Sequence, residues 1–314
     1  MKNGNWSTVT EFILLGLSDD PILQKALFIL FLLMYIIGVQ GNSVIFSLIT
    51  TNPKLHSPMY FFIANLSLVD ISLTTITVPK LLLNILTQIK TISFPLCITQ
   101  LYFFVAVASI ESLFLGLMAY DRYVAICNPL RYTAVMNTRV CAKLACSTWL
   151  TGFLNSLLHS GMISVLSFCG PNQIQNFFCD IPPLLKLSCS DTTANELVIF
   201  TESSMVILTS VLSIVVSYAL IIITICRMRS SEGRLRAFST CSSHLMVVAL
   251  FYGTIVFTYI RPRSSYSLGK DKVVSVIYTT VTPMLNPFIY SLRNEQVKDA
   301  LRKVLGRKTA THKI

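Results

Sequence analysis

The sequence predicts an all-α membrane protein, a seven-transmembrane helix bundle followed by a short amphipathic C-terminal surface helix. Three observations predict it. Apolar runs of membrane-spanning length recur along the whole chain. Hydrophobic residues fill 53% of the 314 positions and charged residues only 12%, about half the share that a water-facing domain carries. The basic residues also gather on one side of the spans, as membrane topology requires.

A helix needs about 20 mostly apolar residues to cross the hydrocarbon core. Such stretches run over 21–49, 57–86, 93–126, 139–158, 197–228, 236–260 and 272–292. The fourth is the weakest, interrupted by Ser, Thr and Cys, and Pro79 is expected to break the second. The chain shows no internal repeat and no low-complexity stretch. The whole of 1–314 therefore reads as one membrane domain. Residues 1–20 precede the first span, 160–196 form the longest connection, and 293–314 form the tail.

With the amino terminus outside, 16 lysines and arginines fall inside and 9 outside, which agrees with the positive-inside rule. An even number of spans would spoil that balance. The net charge of +11 is scattered between apolar runs and forms no single basic stripe, so nucleic acid is not the partner it implies. Residues 1–7 are polar and the first apolar run is too long for a cleavable signal, so the first span is expected to direct its own insertion. Asn5-Trp6-Ser7 is a glycosylation sequon on the side read as outside.

Cys169, Cys179 and Cys189 lie in the 160–196 connection, and Cys97 lies at the outer end of the third span. Four cysteines on an oxidising side favour two disulfides, in any of three connectivities. After the seventh span, Val297, Ala300, Leu301, Val304 and Leu305 share one helical face, and Lys298, Arg302 and Lys303 share the other. That pattern fits a helix lying on membrane lipid. No cysteine follows Cys241, so acylation cannot anchor it.

Polar groups inside spans are costly and mark function. Asn42, Asp70, Glu111 and Asn286 lie in the first, second, third and seventh spans. Two carboxylates and two amides at similar depth would either hold a cation such as Na⁺ at Asp70 and Glu111 or form a hydrogen-bonded network of neutral acids. The sequence leaves both open and implies no other cofactor. Asp121-Arg122-Tyr123 ends the third span, where the Asp and Arg can pair or the Arg can turn to a partner. Asn286-Pro287-Phe288-Ile289-Tyr290 in the seventh pairs a proline bend with a polar side chain. Pro283 adds a second bend.

Taken together and in order, these motifs resemble the rhodopsin-like G-protein-coupled receptors. Longer matches narrow the resemblance to the odorant receptors of the tetrapod-type class. They are Pro58-Met59-Tyr60-Phe61-Phe62, the run from Met118 through Asp121-Arg122-Tyr123 to Cys127, Ser217-Tyr218, the run from Ala237 to Leu245, Pro283-Met284-Leu285-Asn286-Pro287, and Ser291-Leu292-Arg293-Asn294.

That resemblance implies disulfides Cys97–Cys179 and Cys169–Cys189. It implies a G-protein-facing Arg122, flanked by Asp121 and Tyr123. It also implies that Tyr218, Tyr290, Asn286 and Pro287 rearrange on activation. The chain would sit in the plasma membrane and bind a small, mostly apolar odorant. It would then activate a stimulatory, olfactory-type G protein and raise cAMP. Ligand candidates by helical spacing are Phe104, Val105, Ala108, Ser109 and Ser112 on the third helix, and Glu202, Val206 and Ile207 on the fifth. Tyr252, Ile255 and Tyr259 on the sixth and Val276 and Thr279 on the seventh complete the set.

Departures narrow the ligand further. Amine receptors of this fold carry an acidic residue where Phe104 stands, and retinal binders a lysine in the seventh helix, which is absent from 273–292. Phe251-Tyr252-Gly253-Thr254 replaces the tryptophan–proline pattern common in the sixth. A transporter reading finds no repeat with matched helix breaks. An intramembrane enzyme would need a metal cluster or a Ser–Lys pair. His56, His159, His244 and His312 are too scattered to ligate one metal.

Overall fold

The computed structural model describes residues 9–228, 230–259, 268–292 and 296–302. The Asn5 sequon, the Tyr259 side chain, Arg293, Asn294 and the tail from Lys303 onward lie outside the described residues. Seven long helices form the bundle. They are α1 (Pro21–Thr51), α2 (Pro58–Thr87), α3 (Phe94–Cys127), α4 (Thr138–Ser164), α5 (Thr193–Arg227) and α6 (Ser231–Tyr259), followed by α7 over 268–292. Two of them contain π turns: α5 at Ile199–Ser203, and α7 at Ile277–Val281 between its halves Leu268–Val276 and Thr282–Leu292.

Local chemistry sets the helix starts. Asp20 caps α1, its carboxylate accepting from the Ile22 and Leu23 amides at 2.7 and 3.1 Å, with Pro21 in the first helical turn. Asn137 caps α4 by accepting from Val140 N at 3.1 Å. α2 stops at Gln88, which adopts a left-handed φ of 59°.

The seven spans stand where the apolar runs placed them, with three corrections. α6 begins at Ser231, five residues before the expected start. α4 continues to Ser164, six residues beyond the expected end. Pro79 does not break α2, which runs through it from Pro58 to Thr87. Val78 and Leu81 beside it are fully packed, and neighbouring helices in a bundle can carry a proline that would end an isolated helix.

Among the described residues, five helices are long and apolar enough to cross a membrane by themselves, namely α1, α2, α3, α5 and α7. α4 explains its own polarity. Trp149 Nε1 donates to Asn65 Oδ1 on α2 at 3.0 Å, and Ser156 Oγ donates to the Tyr102 carbonyl on α3. Leu150, Leu154, Leu157 and Leu158 are exposed on the opposite side. Similar apolar faces are exposed on α1 (Ile29, Leu30, Leu33) and α5 (Leu208, Leu212, Val215). Water would not tolerate such patches, and lipid does.

The end of the bundle that carries Cys97 has a small sheet, which the apolar pattern did not foretell. β1 (Glu11–Leu14) lies between β2 (Thr91–Ser93), antiparallel, and β3 (Gln173–Ile174), parallel. Strand alternation turns Phe12 and Leu14 inward. There Phe12 meets Phe168 edge-on with ring centres 5.2 Å apart, over Ile92, Leu101, Ile163 and Leu184. This end is called the disulfide end below, and the opposite one the Arg122 end. Residues 296–302 are helical. Val297 and Ala300 are buried, and Tyr60 donates to Gln296 Oε1 at 2.9 Å.

Close packing of α3 on α4 depends on Gly152. A Cβ there would collide with the Ile110 side chain and sit 3.0 Å from the Ala106 carbonyl. Gly152→Ala should therefore destabilise the purified protein by about 1–3 kcal/mol, read as a lower melting temperature in detergent. An unchanged melting curve would contradict this packing.

At the disulfide end, burial pushes the Asp180 carboxyl up from 3.8 to about 6, against the lowering effect of its bond from Ile181 N at 2.8 Å. A carboxyl whose folded pKa lies above its unfolded one favours the fold fully only at low pH. That advantage is lost as pH rises from about 4 through 6. Asp180→Asn keeps the cap and should gain up to about 3 kcal/mol at pH 7 but little at pH 4. Melting curves at the two pH values check this, and an equal gain at both would refute it.

Candidate functional site

The Cys97–Cys179 and Cys169–Cys189 disulfides both form, with Cα atoms 5.5 and 5.8 Å apart. The first pins the connection between α4 and α5 onto α3. Gln100 on α3 reinforces it. Its Oε1 accepts from Cys179 N at 2.9 Å, and its Nε2 donates to the Ile76 carbonyl of α2 at 2.9 Å. Pinning Cys179 drives Phe177 and Phe178 into the bundle, where both are fully buried. Phe178 lies against Phe104 and Tyr278, with ring centres 4.9 and 6.4 Å away. Phe104 is thus roofed by the loop. Phe177, Phe178 and Gln100 were not among the sequence candidates. The only hint was that two aromatics precede a disulfide cysteine.

Beneath that roof, Val105, Ala108 and Ser109 on α3, Val206 and Ile207 on α5, Tyr252 and Ile255 on α6 and Val276 on α7 are all partly buried. Ser112 is buried and joins three helices. Its hydroxyl lies 2.9 Å from the Tyr252 hydroxyl and 3.3 Å from Ser210 Oγ of α5. Thr279 is fully buried and donates to Ser275 O of its own helix at 2.7 Å. Glu202 points to α4, where its Oε2 lies 3.4 Å from His159 Nε2. A separate cleft lined by Leu14, Leu17, Leu27, Leu81, Asn84 and Ile85 opens between β1 and the ends of α1 and α2. It includes none of the ligand candidates, so its shape says nothing about them.

Halfway through the bundle, Asn286 Nδ2 donates to both Asp70 oxygens at 3.0 Å. The expected four-residue cluster divides here. Asn42 donates instead to the Gly38 and Pro283 carbonyls, each at 3.0 Å, tying α1 to α7 where Pro287 leaves the Pro283 carbonyl short of its helical donor. Glu111 is buried on α3, and neither amide reaches it. A sodium ion would have to compete with Asn286 for the Asp70 oxygens.

At the Arg122 end, Asp121 Oδ1 accepts from Tyr132 at 2.9 Å, in the connection to α4. Arg122 is buried beside it. His244 of α6 bridges two helices. Its Nε2 faces the Leu115 carbonyl of α3 at 3.1 Å, and its Nδ1 faces the Tyr218 hydroxyl of α5 at 2.8 Å. A carbonyl only accepts, so Nε2 carries the proton and Tyr218 donates to Nδ1. Tyr290 of α7 is buried, and its hydroxyl has no partner among the described residues. No group of three or more metal-ligating side chains occurs among the described residues.

The arrangement of seven helices matches squid rhodopsin with a TM-score of 0.71 at 17% identity, over 90% of this chain and 81% of that one. It is a rhodopsin-like seven-helix fold. The family described as "Olfactory receptor" matches residues 31–308. Mouse olfactory receptor 5AP2 is 52% identical over 97% of this chain and 96% of its own length. Human olfactory receptor 5B12 is 52% identical over 98% of each, and mouse olfactory receptor 1M1 is 50% identical over 99% of each. The chain therefore belongs to the olfactory receptor family of G-protein-coupled receptors, multi-pass membrane proteins that sense odorants and are not enzymes.

Asp70→Ala should strand the Asn286 amide in the middle of the bundle. A lost partner of this kind costs about 1–3 kcal/mol, so the detergent-solubilised variant should melt several degrees below the parent. The double variant Asp70→Ala/Asn286→Leu should recover part of that loss. Full additivity of the two changes would sink the pairing.

Proposed function

We propose that this chain is an odorant receptor that binds a small, mostly apolar volatile molecule beneath the Phe178 roof. Binding there activates a stimulatory, olfactory-type G protein at the Arg122 end and raises cAMP. In this reading the protein sits in the plasma membrane with its amino terminus outside and its tail inside. The helix at 296–302 lies on inner-leaflet lipid. The distribution of lysine and arginine supports that orientation, and the apolar lining with a few hydroxyls supports the ligand class.

The observation that carries the mechanism is the reach of α6. Tyr252 touches Ser112 among the ligand candidates, and His244 touches Leu115 and Tyr218 near Arg122. Both sit on one continuous helix, eight residues or about 12 Å apart along it. A ligand that competes for the Ser112–Tyr252 contact therefore acts on the same rigid rod that closes the Arg122 end. It shifts the balance only by binding the open arrangement more tightly than the closed one. Arg122 then becomes free to meet the G protein.

Arg122→Ala should abolish odorant-driven cAMP in cells that display the receptor at the parental level. Surface staining and cAMP measured in the same cells check this. Normal signalling by that variant would remove Arg122 from the mechanism.

A further inference from the structure

Four side chains from three helices form a polar cluster within the apolar half of the bundle nearer the disulfide end. His159 and Asn155 come from α4, Ser109 from α3 and Glu202 from α5. The His159 side chain is 1% exposed and that of Glu202 32%. Asn155 links them. With its nitrogen toward Glu202, the amide lies 3.0 and 3.3 Å from the two carboxylate oxygens, and its oxygen accepts from Ser109 at 2.9 Å. The π turn at Ile199–Ser203 carries Glu202, and such turns mark functional positions in helices. One atom in the cluster is unsatisfied: His159 Nδ1 is buried with no hydrogen-bond partner among the described residues.

The same Asn155 nitrogen lies 3.2 Å from His159 Nε2. An amide nitrogen only donates, so Nε2 accepts and the ring proton sits on Nδ1. The cluster therefore presents one N–H donor without an acceptor among the described residues.

We infer that His159, positioned by Glu202 and Asn155, is the polar anchor of the ligand site, and that its Nδ1–H donates to the carbonyl oxygen of an aldehyde, ketone or ester. This deepens the odorant reading above and rests on it. It also gives Glu202 a role without a charged ligand: the carboxylate holds the Asn155 amide that sets the His159 ring.

The test uses the full-length receptor in cells supplied with an olfactory-type stimulatory G protein. The panel contains aldehydes, ketones, alcohols and alkanes matched in carbon number. Carbonyl compounds should be the most potent. His159→Phe should raise their half-effective concentration by about 10- to 100-fold while shifting any alkane agonist far less. His159→Gln, which keeps an N–H donor, should retain most of the carbonyl response. If His159→Phe fails to reach the surface, Glu202→Leu asks the same question and should weaken carbonyl agonists selectively. An equal loss across all ligand classes, a preference for alcohols, or an unaltered response in His159→Phe would overturn the inference. Those outcomes leave the odorant reading standing. A wild-type receptor displayed at the surface and silent to the whole panel would overturn both.

Discussion

A polar group inside a bilayer has no water to turn to, so its partner must come from the protein. Every interhelical hydrogen bond in this bundle follows from that constraint. Asn286 meets Asp70, Asn42 meets the Pro283 carbonyl, Trp149 meets Asn65, and His244 meets the Leu115 carbonyl. Leucine and valine can face lipid or protein at similar cost, so they do not decide which helix neighbours which. The polar pairs do. They act as register marks on otherwise interchangeable apolar rods.

α3 is the axis that many further marks of this kind reach. It receives α4 through Ser156 and Asn155, α5 through Ser112 and Gly116, and α6 through Tyr252 and His244. Close contact is also built from absence. Gly116 lets the Ser210 backbone of α5 approach to 3.3 Å of where a Cβ would sit, and Gly152 lets α4 settle on Ile110 and Ala106. The ligand candidates of α3 and Arg122 therefore share one helix, and α6 bridges the two regions. No long relay of side chains is needed between the two ends.

Much of this was legible in the residues. Seven apolar runs and the motif order placed the helices, and Asp70 and Asn286 stood among four polar residues at similar depth, of which the structure pairs these two. What escaped has physical causes. α4 looked weak because its Ser, Thr and Cys were read as interruptions, although Ser156 among them binds α3. Pro79 looked like a break because a local rule was applied where packing on both sides holds the helix together. The strands Glu11–Leu14 and Gln173–Ile174 are too short for a periodic signal, and their pairing joins residues about half the chain apart. His159 and Asn155 were passed over because a lone polar residue on a weak span carries no pattern. Their meaning depends on Glu202 arriving from α5 by way of a π turn. The Asn42 bond could not be foreseen either, since its acceptor is a backbone carbonyl that Pro287 leaves short of its helical donor.

The roof over the ligand candidates has a mechanical side. Cys97, Gln100 and Phe104 lie on successive turns of α3. Through them the helix holds Cys179 covalently, its amide by a hydrogen bond, and Phe178 by ring contact. Roof and axis are thus one body, and the aromatic ceiling travels with α3 whenever α3 moves. Walls built on α5 and α6 share no such weld. In the proposed mechanism the volume available to a guest would therefore be set by how far those two helices stand from a fixed frame, and a bulkier guest would be accommodated sideways, by the displacement proposed to loosen the Arg122 end.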